Sequence, residues 1–120
     1  MNESNRILKS SGIHVHRIDY SDPFSHSDNS ISAINFLQYP DRVWKYYADN
    51  RYMYMNRLRH DDFICLFTET GNTIKHQHQD QSAKIKAILE SKLLFLDDRF
   101  KNKNNNVLSV TGAWFILEGN

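Results

Sequence analysis

Residues 63–79 read FICLFTETGNTIKHQHQ, and this stretch decides the fold that the sequence predicts. Phe63 to Phe67 is apolar at every position, which is typical of a central strand covered on both faces. Thr70-Gly71-Asn72 has turn chemistry, and side-chain character alternates again from Thr73 to Gln79. We therefore predict that these residues form a hairpin of two antiparallel strands.

Three further segments have strand character on either side of this hairpin. Ile13 to Asp19 alternates in side-chain character, and Ile31 to Leu37 is a candidate for a short second strand. Val107 to Leu117 is predicted as the final strand, with Trp114 on one face and Phe115 on the other. The sequence thus predicts an antiparallel-rich sheet of about four to five strands.

Three helices are predicted beside this sheet. Glu3 to Ser10 can form a short opening helix. Proline suits the first position of a helix, so the clearest helix is expected to begin at Pro40 and to end near His60. A second long helix begins at Asp80 or Ser82 and keeps apolar residues at helical spacing as far as Phe100. Helices around strands that are joined by a hairpin make α+β the predicted fold class.

Composition sets the broad class of the chain. Its 120 residues are predicted to form a single domain, and a hydrophobic fraction of 40% argues against disorder. The formal net charge is +1 and the basic residues are scattered, so we expect no direct binding of nucleic acid.

The expected compartment is the cytoplasm. The polar N-terminal residues do not resemble a signal peptide, and no apolar run approaches the roughly 20 residues of a membrane span, so we expect no membrane association. Cys65 is the single cysteine and cannot form an internal disulfide. Because it stands in an apolar run, it is expected to be a buried, reduced thiol.

The helix predicted from Pro40 is unusually rich in aromatic side chains. Tyrosine and tryptophan combine a large apolar body with a hydrogen-bonding tip, which suits the wall of a pocket for a partly apolar ligand. The alternative is that these residues are the core and surface of a helix packed on a sheet. The aromatic residues of this segment are Tyr39, Trp44, Tyr46, Tyr47, Tyr52 and Tyr54.

Tyr39-Pro40, followed by Tyr47 and then Tyr52, resembles a segment of LuxR-type autoinducer-binding domains. That segment has a Tyr-Pro step, a helix with a pocket tyrosine, and a second tyrosine five residues on. The strand entry at Gly12-Ile13 is similar to that of PAS-like sensor domains. The resemblance implies an α/β/α sandwich that encloses a small ligand and commonly forms a homodimer. These domains usually precede a helix-turn-helix, and no such segment is recognisable here.

The resemblance also implies a set of binding residues. Only Tyr47 and Tyr52 match the family by position. The family's pocket tryptophan corresponds to Val43, with Trp44 one position later, and its lactone-binding aspartate corresponds to Asn56. We therefore expect a ligand pocket lined by Trp44, Tyr47, Tyr52 and Asn56, in which Asn56 takes the place of the acidic contact.

Two His-x-His pairs suggest a different site. His14 and His16 lie on one face of a predicted strand, and His76 and His78 on one face of another. If the two strands paired, four imidazoles could converge on zinc or another divalent transition metal. The alternative is solvent-facing histidines on two strands, and apart from this metal no cofactor is expected.

No catalytic motif is recognisable in the sequence. It has neither a Gly-x-Ser-x-Gly elbow, nor a phosphate-binding glycine loop, nor a His-Glu-x-x-His helix. The first hypothesis is therefore a non-catalytic ligand-sensing domain that acts through dimerisation or a partner. The second is a protein interaction module, such as an effector, an immunity protein or an adaptor. The third is the histidine metal site.

Overall fold

A computed structural model describes residues 12–48 and 56–119 of the chain, so the predicted opening helix, Glu3 to Ser10, lies outside the described residues. Short 3-10 helices occur at Pro23–His26 and Asn35–Gln38. The strands are β1 (Ile13–Asp19), β2 (Thr73–Gln81) and β3 (Val110–Glu118), and the α-helices are α1 (Asp41–Ala48), α2 (His60–Glu69), α3 (Ala83–Ser91) and α4 (Asn105–Leu108). The predicted α+β class is confirmed.

The described strands form one antiparallel sheet in the order β1-β3-β2. Strand β3 is central because its residues Ala113, Phe115 and Leu117 alternate as a buried apolar row. Phe115 is opposite His16 on one side and opposite Gln77 on the other. The two outer strands therefore contact β3 and not each other.

The core has two parts. Helix α2 covers one face of the sheet, where the ring centroids of Phe67 and Phe115 are 5.0 Å apart. A second cluster lies under α1 and α3, around Phe36, Leu37 and Phe100. Within the described ranges no helix is long and apolar enough to cross a membrane.

The prediction of a strand at Phe63 to Phe67 is wrong, because these residues belong to α2. A short apolar run fits a buried strand or a buried helix face equally well, and here the start of a helix decides between them. The Asp62 side chain accepts a hydrogen bond of 2.9 Å from the Arg59 backbone N–H, which caps the helix. Cys65 consequently lies on the outer side of α2 and is exposed, so the expectation of a buried thiol is also wrong.

The prediction of a short strand at Ile31 to Leu37 is wrong as well. The backbone N–H of Leu37 donates to Ile34 O at 3.0 Å, which closes a 3-10 turn, and its carbonyl accepts from Asp97 N at 2.9 Å. Both backbone groups are thereby bonded outside any sheet. The described sheet has three strands, not four to five.

Several element ends differ from those predicted because two residues adopt left-handed backbone conformations. Arg57 has a φ of 60°, and residues 56–59 are not helical, so no helix runs continuously from Pro40 to His60. Lys92 has a φ of 56° and ends α3 well before Phe100. The strand at Ile13–Asp19 is confirmed at both ends, and the predicted cap at Ser82 accepts from Ile85 N at 3.2 Å.

Truncation of Phe67 tests the packing of α2 on the sheet. Phe67 is 1% exposed, so we expect Phe67→Ala to lower the free energy of unfolding by about 3–5 kcal/mol. Phe95 is 84% exposed, and Phe95→Ala is the matched control with a change below about 0.5 kcal/mol. Urea unfolding of both variants makes the measurement, and equal losses for the two would contradict this packing.

Candidate functional site

A pocket of about 260 Å³ lies beside the start of α1. We call it the aromatic pocket, because aromatic rings make up most of its wall. It is formed by α1 and by the loop between β1 and α1, which contains the two 3-10 helices. The lining residues are Asp22, Phe24, Ile31, Asn35, Tyr39, Trp44 and Tyr47.

Local sequence places two of these rings on one face of α1. The Pro40 carbonyl accepts hydrogen bonds of 3.0 Å from the backbone N–H groups of Val43 and Trp44, which starts the helix directly after the proline. Trp44 and Tyr47 are three positions apart and therefore neighbours on the helix surface. Trp44 is 5% exposed and Tyr47 is 53% exposed, so Trp44 belongs to the base of the pocket and Tyr47 to its rim.

The aromatic rings of the pocket support each other through edge contacts. Phe24 meets Trp44 nearly at a right angle with ring centroids 6.2 Å apart, and Phe36 meets Trp44 from the core at 5.2 Å. The rings of Tyr39 and Tyr47 are also 6.2 Å apart. Such edge and tilted contacts hold aromatic rings in defined orientations. The rings are thus oriented by their neighbours before any ligand enters.

Asp22 is the one acidic residue in this wall. It is 1% exposed, and its Oδ1 accepts a hydrogen bond of 2.8 Å from Phe24 N. Burial raises the pKa of the Asp22 carboxyl, against the lowering effect of the backbone N–H groups of Phe24 and Phe36. The salt bridges of the described residues include none to Asp22. Within the described ranges, the aromatic pocket therefore contains a buried carboxyl that forms no salt bridge.

The buried guanidinium of Arg57 forms hydrogen bonds to the segments that carry the pocket residues. Its Nη1 donates to the carbonyl oxygens of Phe36 at 2.9 Å and Tyr39 at 2.6 Å. Its Nη2 donates to Asp41 Oδ1 at 2.5 Å, and its Cζ lies 5.6 Å from the centre of the Trp44 ring. We call these contacts the Arg57 clamp. They join the second 3-10 helix to the start of α1 and so position Trp44.

The predicted binding residues have different outcomes. Trp44 and Tyr47 line the aromatic pocket together. Asn56 is exposed, and its Oδ1 accepts from Leu58 N at 3.0 Å, away from the pocket wall. Tyr52 lies outside the described residues.

Sequence reasoning missed Asp22, Phe24 and Asn35 as parts of the wall. One signal was present, since an aspartate before Pro23 is a capping residue followed by a proline at the first helical position. That signal predicts the first 3-10 helix. It does not predict that the turn faces α1.

The four histidines do not converge as the sequence-based hypothesis required. Strand β3 separates β1 from β2, and the register places His14 and His16 on the sheet face that α2 covers. His76 and His78 are opposite Ile116 and Trp114, on the other face. Among the described residues no group of three or more potential metal ligands is formed.

A serine, a histidine and an aspartate meet near the end of β1, but not as a catalytic triad. The Ser21 hydroxyl donates to Asp19 Oδ1 at 2.5 Å, and His26 Nε2 is 3.0 Å from Ser21 Oγ and 3.4 Å from Asp19 Oδ2. In a triad the carboxylate orients the histidine through the opposite ring nitrogen. Here the same nitrogen faces both groups, and the hydroxyl proton is directed to the carboxylate.

Comparison with protein-family models, with curated proteins and with solved structures gave no match to this chain.

Replacement of Asp22 tests the state of the buried carboxyl. A carboxyl whose pKa is raised by folding makes the native state less stable as the pH rises through that pKa. Asp22→Asn keeps an oxygen for the Phe24 N–H and removes the charge. We expect it to raise the free energy of unfolding by about 1 kcal/mol at neutral pH, with the gain shrinking as acid protonates the wild-type carboxyl.

Asp28→Asn is the matched control for this measurement. Asp28 is exposed, and hydrogen bonds from Ser30 lower its pKa, so its loss should bring no gain in stability at neutral pH. Urea unfolding of both variants across the acid and neutral range makes the comparison. A loss of stability in Asp22→Asn at neutral pH would contradict the assignment of Asp22 as an unpaired buried charge.

Proposed function

We propose that the chain is a non-catalytic domain that binds a small, partly apolar ligand in the aromatic pocket and acts as a sensor. The proposal belongs to the LuxR- and PAS-like class that the Tyr39-Pro40, Tyr47 and Tyr52 pattern implies, with the cytoplasm as its compartment. The observation that carries it is the presence of Trp44 and Tyr47 in one pocket wall.

The composition of the pocket wall supports ligand binding. Ligand sites are typically apolar concave surfaces with a few polar groups that orient the ligand. The aromatic pocket combines four rings with the carboxyl of Asp22 and the side-chain amide of Asn35. Its volume of about 260 Å³ is just below the range of typical drug-sized sites, so it suits a small molecule or one group of a larger one.

We propose homodimerisation as the output of this sensor. Helix α2 covers one sheet face, whereas Ile13, Val15 and Trp114 on the opposite face are exposed. A sandwich of the PAS-like kind has cover on both faces of its sheet. A second copy of the chain, with its own open sheet face, would supply that cover and bury these apolar side chains.

A protein interaction module remains the second candidate because of one exposed segment. Leu93 and Phe95 follow α3 and are 82% and 84% exposed. Exposed side chains of this size next to each other are typical of a surface that a protein partner covers. In that case the double variant Leu93→Ser, Phe95→Ser would abolish binding of the protein partner. Substitutions in the aromatic pocket would leave partner binding intact.

A fragment titration tests ligand binding. We expect small aromatic and aliphatic fragments to shift the amide signals of α1 in two-dimensional NMR, because they would contact Trp44 and Tyr47. Tyr47→Ala should weaken the binding of the best fragment by about tenfold, since it removes one ring of the wall.

Tyr46→Ala is the matched control. Tyr46 stands next to Tyr47 on α1 but does not line the pocket, and 82% of it is exposed. Its ring lies 5.4 Å from that of Tyr47, so its replacement should change fragment affinity far less than the loss of Tyr47 itself. Equal effects of the two variants, or fragments that shift only signals outside the pocket, would contradict the proposed function.

A further inference from the structure

We propose that the aromatic pocket selects an organic cation, with an alkylated ammonium group held between the aromatic rings and the Asp22 carboxylate. This inference rests on the proposed function and adds the chemical class of the ligand. It is carried by the position of a buried carboxyl, which has no salt bridge among the described residues, in a wall with four aromatic rings.

The rings supply the first part of the recognition. The face of an aromatic ring carries partial negative charge and attracts a cation that lies within about 6 Å of its centre. Phe24 and Trp44 stand nearly perpendicular, and Tyr39 and Tyr47 are tilted by 38° to each other. Rings at different angles form a curved surface. Such a surface fits a rounded alkylammonium group better than it fits a flat ligand group.

Asp22 supplies the second part. A carboxylate is costly to bury when no cation balances it. The backbone N–H groups of Phe24 and Phe36 and the side chain of Asn35 bond to it, and all three are neutral donors. A ligand with a positive charge would complete this environment. A neutral ligand would leave the charge of the carboxylate unbalanced.

The described residues that line the pocket include no basic side chain. Arg57 and Arg99 lie outside this wall and share the carboxylate of Asp41, whose Oδ1 they contact at 2.5 and 2.8 Å. His26 is the basic group that acts on the Asp22 carboxyl, and its side chain is exposed. Asp22 is therefore the one acidic or basic residue among the described residues that line the pocket.

A pair of probes of the same shape isolates the effect of charge. Choline and 3,3-dimethyl-1-butanol differ in a single central atom, nitrogen or carbon, and only choline is charged. We expect choline to bind at least about tenfold more tightly in an NMR titration, as cation–π attraction and one carboxylate together provide.

Two variants test whether the carboxylate and the aromatic rings cause the preference for choline. Asp22→Asn should remove most of the choline advantage and leave the affinity for the neutral alcohol unchanged, because the amide keeps the shape and the cap. Phe24→Leu should lower choline affinity severalfold with little effect on the alcohol, because it keeps apolar contact and loses the ring. Phe24 is partly exposed at the pocket rim, so we expect Phe24→Leu to fold. The test therefore still works if Asp22→Asn proves unstable.

The outcomes separate this inference from the proposed function. Equal binding of choline and the alcohol at the pocket would overturn the cation preference while the ligand-binding function stands. A choline preference that survives Asp22→Asn and Phe24→Leu would also overturn it. If no neutral fragment or cation shifts the α1 signals, both the inference and the proposed function fail.

Discussion

The Arg57 clamp is the interaction on which the rest of the site depends. A guanidinium taken out of water needs hydrogen-bond acceptors, and both terminal nitrogens of Arg57 have them in two backbone carbonyls and the Asp41 carboxylate, while its Nε has no partner among the described residues. Burial lowers the pKa of Arg57 and the hydrogen bond to Asp41 raises it. Its backbone is left-handed, with a φ of 60°. One residue thus connects three segments.

The segments that Arg57 connects contain several of the residues that line the aromatic pocket. The second 3-10 helix supplies Asn35, the residue after it is Tyr39, and α1 supplies Trp44 and Tyr47. The Arg57 Cζ lies 5.6 Å from the centre of the Trp44 ring, and Phe24 meets the same ring nearly at a right angle. A second basic residue, Arg99, also bonds to Asp41 at 2.8 Å and reinforces the clamp at the surface. The walls of the aromatic pocket therefore keep their spacing.

Stability and binding make opposite demands on this region. The unpaired carboxyl of Asp22 and the exposed rings of Phe24 and Tyr47 are arrangements that folding alone does not favour. The core clusters around Phe36 and Phe115 are apolar, although buried polar atoms without a hydrogen-bond partner lie beside them, among them Arg59 Nη2 and His16 Nε2. Local rules of stability are broken most often where a protein binds something. A buried carboxyl and exposed aromatic rings in one pocket wall are the physical reason to look for a ligand here.

Part of this arrangement follows from sequence alone. Alternation at Ile13 to Asp19, the cap at Ser82 and the aromatic spacing of Trp44 and Tyr47 depend on neighbouring residues, so local rules predict them. The run Phe63 to Phe67 has no internal periodicity, and its helical state depends on the Asp62 cap.

Strand order depends on contacts between distant parts of the chain. Whether His14 meets His76 was decided by the insertion of β3 between their strands. The position of Asp22 likewise depends on a more distant contact, because its backbone N–H donates to Ala33 O at 2.7 Å, and no local pattern encodes that approach.

Fluorine NMR of 5-fluorotryptophan protein tests the Arg57 clamp most directly. The chain has two tryptophans, Trp44 in the pocket and Trp114 on the open sheet face, and Trp114→Phe assigns the signals. Arg57→Met keeps the volume of the side chain and removes its hydrogen bonds. We predict that it shifts or broadens the Trp44 signal and removes its response to choline, while the Trp114 signal stays unchanged. An unchanged Trp44 signal with an intact choline response would contradict the central role of Arg57.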